Sequence, residues 1–152
     1  MEIREPERLT PVVGKADVIV VGSGPGGLSA AIAAARAGVS VILIERFGCF
    51  GGNITSVGVE GFAWYRHENT IEAGGLAFEY EQRAIESNAA VPESQSKSYE
   101  LDSEGFKVVA DNLVLKAGVR PMLHRAFCAP ILDGDEIKGV ITESKAGREA
   151  II

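Results

Sequence analysis

The sequence predicts an α/β fold, a parallel sheet with a βαβ unit followed by a β-meander, on three observations. "DVIVVG" (residues 17–22) and "VSVILIE" (39–45) are short β-branched runs of the kind buried on both faces of a sheet. Between them "GPGGLSAAIAAARAG" (24–38) is alanine-rich, with Leu28 and Ile32 on one face. Near the other end, "AFCAPILD", "EIKGVITES" and "REAII" are separated by Asp133-Gly134-Asp135 and Lys145-Ala146-Gly147, turn chemistry that joins antiparallel neighbours.

Each element follows from local composition. Residues 1–16 mix both charge signs and form a lead-in segment, with the domain proper at 17–152. Strand, helix and strand within about thirty residues make a right-handed crossover between parallel strands, with Gly38 placed to end the helix. Residues 47–63 are glycine-rich and irregular. A largely helical insertion at about 59–104 holds a helix from about Leu76 to Ser87, then a polar, turn-prone connection, "VPESQSKSYELD". Phe106, Val109, Ala110, Leu113 and Ala117 share one face of a further helix, closed by Gly118. "VRPMLHR" supplies a third parallel strand, with Pro121 tolerable only at an edge.

Composition narrows the function. With 46% hydrophobic and 24% charged residues the chain is globular rather than disordered. A net charge of −6 argues against nucleic-acid and anionic-membrane partners. No apolar run reaches the ~20 residues of a membrane span, and the first sixteen residues lack a signal-peptide core. Two cysteines, Cys49 and Cys128, are too few for a disulfide framework and fit a reducing, cytoplasmic setting.

The chemistry sits in the first loop. Gly22, Gly24 and Gly27 fit G-x-G-x-x-G directly after a strand and at the head of a helix. The first glycine permits the tight turn, the second lets a pyrophosphate approach the backbone, and the third brings helix and sheet together. Glu45 ends the second strand eighteen residues after Gly27, where a carboxylate accepts bonds from ribose hydroxyls and repels a 2′-phosphate. These residues predict a dinucleotide binder, FAD or NAD. A second glycine-rich loop, "GCFGGNITSVGV", follows the acid and suits a longer cofactor.

With that loop included, residues 17–58 resemble the start of the FAD-dependent oxidoreductases whose two-dinucleotide-binding fold is shared with glutathione reductase. Within them the chain is similar to the subgroup with a GG-(N/M)-x-T loop after the acid. "AGGLAFEYEQRAIES", "GFKVVADNLVLKAGVRPMLHRAF" and "GDEIKGVITESKAGREAII" are more loosely similar to later parts of that subgroup. The resemblance implies a Rossmann-like FAD-binding domain, incomplete at the C-terminus, and hence the N-terminal portion of a flavin-dependent oxidoreductase. It assigns Gly22, Ser23, Gly24, Pro25, Gly26 and Gly27 to the FAD pyrophosphate and Glu45 to the adenosine ribose. Arg46 would lie beside the adenine, Gly51, Gly52, Asn53 and Thr55 near the phosphates and ribityl chain, and the backbone around Phe127 at the adenine edge. The redox cysteine pair of the disulfide reductases is missing from "GGNITSVGV", which excludes that chemistry.

Two other readings stand beside this one: an NAD-dependent dehydrogenase fragment and a non-catalytic nucleotide-binding module. No residue is a candidate catalyst by its pattern, and the small-molecule substrate and oligomeric state stay open. His67 and His124 have no metal-ligand spacing, so no metal is expected. Trp64 and Tyr65 are pocket or core aromatics, and Glu79, Glu81 and Glu86 form a solvated helix face. An unfinished sheet edge after Ile152 predicts marginal stability or self-association of the isolated chain.

Overall fold

The computed structural model describes residues 1–152 except 5, 63, 64, 68, 69, 95 and 96, with backbone only at 66 and 67. Trp64 and the side chain of His67 therefore lie outside the described residues. In chain order the elements are β1 (Val12–Gly14), β2 (Val18–Val21), α1 (Pro25–Arg36), β3 (Val41–Ile44), α2 (Asn53–Ser56), β4 (Arg66–His67), β5 (Thr70–Ile71) and α3 (Gly75–Glu86). They continue with β6 (Ala90–Pro92), β7 (Tyr99–Leu101), α4 (Ser103–Lys116), β8 (Arg120–Met122), β9 (Ala126–Asp133), β10 (Glu136–Ser144) and β11 (Gly147–Ile151).

The central sheet is parallel, ordered β2-β3-β8. β3 has all four residues buried, and period-two alternation divides them between two cores. Val41 and Leu43 face the helices α1, α3 and α4, meeting Leu28, Ile32, Tyr80, Phe106 and Leu113. Ile42 and Ile44 face the other way, onto Met122, Val140 and Ile151. That second layer is a four-stranded sheet ordered β1-β11-β10-β9, in which β9, β10 and β11 form the predicted meander. Pro121 sits in β8 at the edge of the parallel sheet, the place where its missing N–H is tolerated.

α1 starts at Pro25, whose fixed φ suits the first helical position, and ends where Gly38 takes φ +93°. Its small residues bring it against the sheet: Ala31 is fully buried. α4 is anchored by Asp102, whose carboxylate accepts the Glu104 N–H at 3.1 Å and caps the helix. Asp102→Ala is expected to cost about 1 kcal/mol. The check is a urea melt, in which the midpoint falls while the slope is unchanged.

Three features differ from the sequence reading. The lead-in segment is part of the fold, because β1 pairs in parallel with β11. Val12 and Val13 favour a strand, and Gly14 leaves room for Ile42, whose Cδ1 would lie 3.0 Å from a Cβ there. The polar connection after α3 holds an antiparallel hairpin, with Ala90 opposite Leu101 and Pro92 opposite Tyr99. Glu81, expected on a solvated face, is fully buried, while Glu79 and Glu86 do form surface ion pairs, at 2.7 Å to Arg36 and 2.8 Å to Arg83. Glu81 lies in the same buried stripe of α3 as Tyr80 and Ala84, so position on the helix overrode residue type.

Candidate cofactor site

The site is built where β2 ends. Gly22 takes φ +92°, and its N–H donates to the Ile44 carbonyl oxygen at 2.8 Å, tying the turn to β3. Gly24 is the N-cap of α1, which has no side-chain cap and no acidic residue in its first turn. The open N–H groups and positive helix end therefore face outward unneutralised. A Cβ on Gly22, Gly24 or Gly26 would meet nothing within 4 Å, whereas one on Gly27 would lie 2.0 Å from the Gly22 carbonyl oxygen. The glycines thus have separate reasons: Gly24 leaves space for an incoming group, and Gly27 lets the turn close on the helix.

The second glycine loop packs directly on the first. The Gly51 N–H donates to the Ser23 carbonyl oxygen at 2.9 Å, and a Cβ on Gly52 would lie 2.6 Å from Gly24 Cα. Thr55 is buried beneath this loop, its Oγ1 donating to the Phe50 carbonyl oxygen at 2.6 Å. Asn53 opens α2 and accepts the Val59 N–H through its own carbonyl at 3.0 Å.

Glu45 joins the two sides. Its Oε2 accepts both the Ser23 N–H (2.8 Å) and the Ser23 Oγ–H (2.6 Å), and its Oε1 accepts the Phe47 N–H at 2.9 Å. Oε2 is full, so Oε1 is the oxygen open to a sugar hydroxyl. Burial pushes the Glu45 carboxyl up, but hydrogen bonds from the Ser23 hydroxyl and from the Phe47, Ser23 and Arg46 N–H groups outweigh it. The carboxyl is held below its usual value, ionised at neutral pH.

These parts border one cleft of about 410 Å³. Of the residues expected from sequence, Gly22, Ser23, Gly24, Glu45, Arg46, Gly52 and Phe127 line it. Pro25, Gly26, Gly27, Gly51, Asn53 and Thr55 do not line it. Ala126 lines it too, as part of the backbone around Phe127, while Phe47 and Arg125 line it and were not expected. Arg125 reaches the site through a long-range backbone bond, its N–H donating to the Glu45 carbonyl oxygen at 2.9 Å. Nothing in its neighbourhood in sequence signals that contact.

The other singled-out residues do not line this cleft. His124 takes φ +57° and packs on Gly48, with its N–H donating to the Phe47 carbonyl oxygen at 3.2 Å. Cys49 and Cys128 are free thiols, and Cys49 Sγ lies 3.8 Å from both Thr55 Oγ1 and Ser56 Oγ. Tyr65 stacks on Phe62 at 4.9 Å between ring centroids, and burial pushes its hydroxyl pKa up. Among the described residues no cluster of His, Cys, Asp or Glu could hold a metal ion, and no helix is long and apolar enough to cross a membrane.

A strand, an open glycine turn, an uncapped helix start and a buried ionised acid on the adjacent strand define a dinucleotide-binding α/β domain. The open space at Gly22 and Gly24 fits a pyrophosphate, and the free side of Glu45 fits a ribose. A family model described as FAD dependent oxidoreductase matches residues 17–152, and the chain belongs to that family. FAD is the dinucleotide that goes with this family.

The chain is 31% identical to a dihydrolipoyl dehydrogenase of Chlorobaculum tepidum, across 70% of this chain and 25% of that protein. It is 32% identical to a thiamine thiazole synthase of Saccharolobus islandicus, across 70% of this chain and 36% of that one. Among solved structures, THI4 of Thermovibrio ammonificans superposes with a TM-score of 0.62 at 18% identity, covering 86% of this chain and 48% of that one. A 3-ketosteroid-Δ4-(5α)-dehydrogenase from Rhodococcus jostii RHA1 gives 0.62 at 16% identity, covering 94% and 45%. The chain thus spans a quarter to about a third of these curated relatives.

Proposed function

We propose that this chain seats the ADP half of FAD in an enzyme that oxidises or reduces a small molecule. The observation that carries the reading is Gly24, an uncapped helix start with open space where a side chain would stand, one residue from the Ser23–Glu45 latch. Gly22, Ser23 and Gly24 and the first turn of α1 hold the pyrophosphate, with Gly52 closing the loop from the other side. Glu45 takes a ribose hydroxyl on Oε1, and Arg46 and Phe127 border the base. When bound, the flavin supplies hydride or electron transfer, and the protein contributes binding, orientation and field.

The residues of this chain do the holding. Ser23, fully buried, keeps Glu45 in place, and the packed glycine loops keep side chains out of the phosphate path. No side chain is assigned a proton-transfer role. The net charge of −6 and two unpaired thiols favour a reducing, cytoplasmic compartment and partners other than nucleic acid or anionic membrane.

The test is calorimetric titration of the purified protein with FAD, then ADP, then NAD. FAD binding in competition with ADP is the expected result, with NAD failing to displace FAD at equal concentration. NAD displacing FAD would restore the dehydrogenase reading. FAD binding with no reducible or oxidisable substrate in the intact protein would favour the non-catalytic module.

A further inference from the structure

Ser29 lies one turn into α1, and its hydroxyl has two neighbours. Its Oγ donates to the Pro25 carbonyl oxygen at 2.7 Å, four residues back along the helix. The same Oγ lies 2.9 Å from the hydroxyl of Tyr80, fifty-one residues later on α3. Donor count sets the direction of this chain. A serine hydroxyl has one proton, and that proton goes to Pro25, so Tyr80 donates and Ser29 accepts. Burial pushes the Tyr80 hydroxyl pKa up, which keeps the donor protonated.

A serine bonded to the carbonyl four residues back slightly disfavours its own helix. Here the bond is held from outside that helix. Tyr80 is 2% exposed, and its ring meets the fully buried Phe106 of α4 edge-on, at 6.1 Å and 89°. The tyrosine hydroxyl therefore reaches α1 from a packed point of the core. At the far end of the chain stands the first peptide unit of α1. Its two polar groups, the Pro25 carbonyl and the Gly26 N–H, point in opposite directions, the carbonyl into the helix and the N–H out of its start. Pro25 has no N–H, so the Gly26 N–H is the first donor of α1 and has no acceptor within the helix. A Cβ on Gly26 would meet nothing within 4 Å, which leaves this peptide open to a ligand. A carbonyl that accepts an additional hydrogen bond polarises its peptide, and the N–H of the same unit becomes a stronger donor.

We propose that Tyr80 and Ser29 are positioning residues of the pyrophosphate site, whose hydrogen-bond chain to the Pro25 carbonyl braces the first turn of α1 and strengthens the Gly26 N–H as a donor to phosphate. The inference rests on the FAD reading above. It extends the site beyond the glycine loops, to a core residue of α3 that does not line the cleft.

Titration of FAD, ADP and adenosine into Ser29→Ala, Tyr80→Phe and the double variant tests it. Adenosine carries the sugar and the base without phosphate. Ser29→Ala should weaken FAD and ADP by about threefold to tenfold, the range spanned by one neutral hydrogen bond, and leave adenosine unchanged. Tyr80→Phe keeps the ring and its packing, and should give a smaller loss for the same two ligands. The double variant should bind them no more weakly than Ser29→Ala, because both changes cut one chain. In the unliganded protein the Gly26 amide proton signal should move upfield in both single variants, a readout of polarisation at that one peptide. Tyr80→Phe decides the matter if Ser29→Ala does not fold. Unchanged ADP affinity in a folded single variant, an equal loss for adenosine, additive losses in the double variant or an unmoved Gly26 signal would overturn the proposal alone. A parent protein that binds neither FAD nor ADP would overturn it together with the cofactor reading.

Discussion

Replacing Gly27 with alanine is expected to destabilise the domain by about 3 kcal/mol or more and to abolish FAD binding. The added Cβ would stand 2.0 Å from the Gly22 carbonyl oxygen, and both sides of that contact are backbone. Gly22 cannot retreat, because its own N–H is bonded to Ile44 on the fully buried strand β3. The helix must then lift from the sheet and take Leu28 and Ile32 with it, although both are essentially fully buried. For a domain of this size the loss corresponds to a fall of about 10 °C in Tm.

Gly24→Ala is the informative partner. There φ is −60° and ψ 172°, a conformation alanine adopts freely, and the new Cβ meets nothing within 4 Å. Apo stability should therefore hold while FAD affinity falls by at least about tenfold, because the methyl occupies the phosphate path. Thermal melts and FAD titrations on both variants check the pair. A Gly27→Ala protein that melts with its parent would show that the turn and helix are not in the contact described.

Glu45→Ala is the second large effect. It removes the acceptor of three hydrogen bonds at 2.6–2.9 Å and strands the N–H and hydroxyl of Ser23, which has no exposure to water. Losing bonds to a charged acceptor in a buried place should cost about 2–3 kcal/mol of stability. With the ribose contact gone as well, FAD affinity should drop by about a hundredfold. The same carboxylate sets a pH dependence. Because its folded pKa lies below the usual 4.5, its stabilising contribution is fully present above that value and is lost as pH falls through the folded pKa. Acid unfolding of the parent should therefore be steeper than that of Glu45→Gln, whose side chain does not titrate. Superimposable acid limbs for the two proteins would show that Glu45 is not the group responsible.

What could be read in advance depended on how local the cause was. The βαβ unit and the meander were legible because β-branched runs, an alanine-rich helix and glycine turns act within a few residues of themselves. The tight turn at Gly22 and the close packing at Gly27 were legible for the same reason. β1 was not, since three residues become a strand only when β11, more than a hundred residues later, offers an edge. The burial of Glu81 is set by the packing of α3 and not by its own chemistry. Arg125 and Phe47 join the cleft through folding contacts with no counterpart in a motif. Asn53 and Thr55 were assigned near the cofactor by resemblance; the Thr55 hydroxyl and the Asn53 carbonyl make their hydrogen bonds within the second glycine loop and its continuation.

The meeting of Gly24 and Gly52 also governs where this chain can change its length. Two backbone points twenty-eight residues apart in sequence sit so close that no side chain fits between them. Helix α1, strand β3 and their connections must together return the chain to that point, so their lengths are locked to one another. An extra residue in α1 would rotate everything after it by about 100° and slide it about 1.5 Å, parting the two loops. The turn that joins β9 to β10 is exposed at Asp133, Gly134 and Asp135 and lies outside the cleft. Residues added there lengthen only that turn. Insertions and deletions should therefore be rejected between residues 25 and 51 and absorbed at 133–135, a contrast that insertion scanning with a flavin-retention readout would resolve.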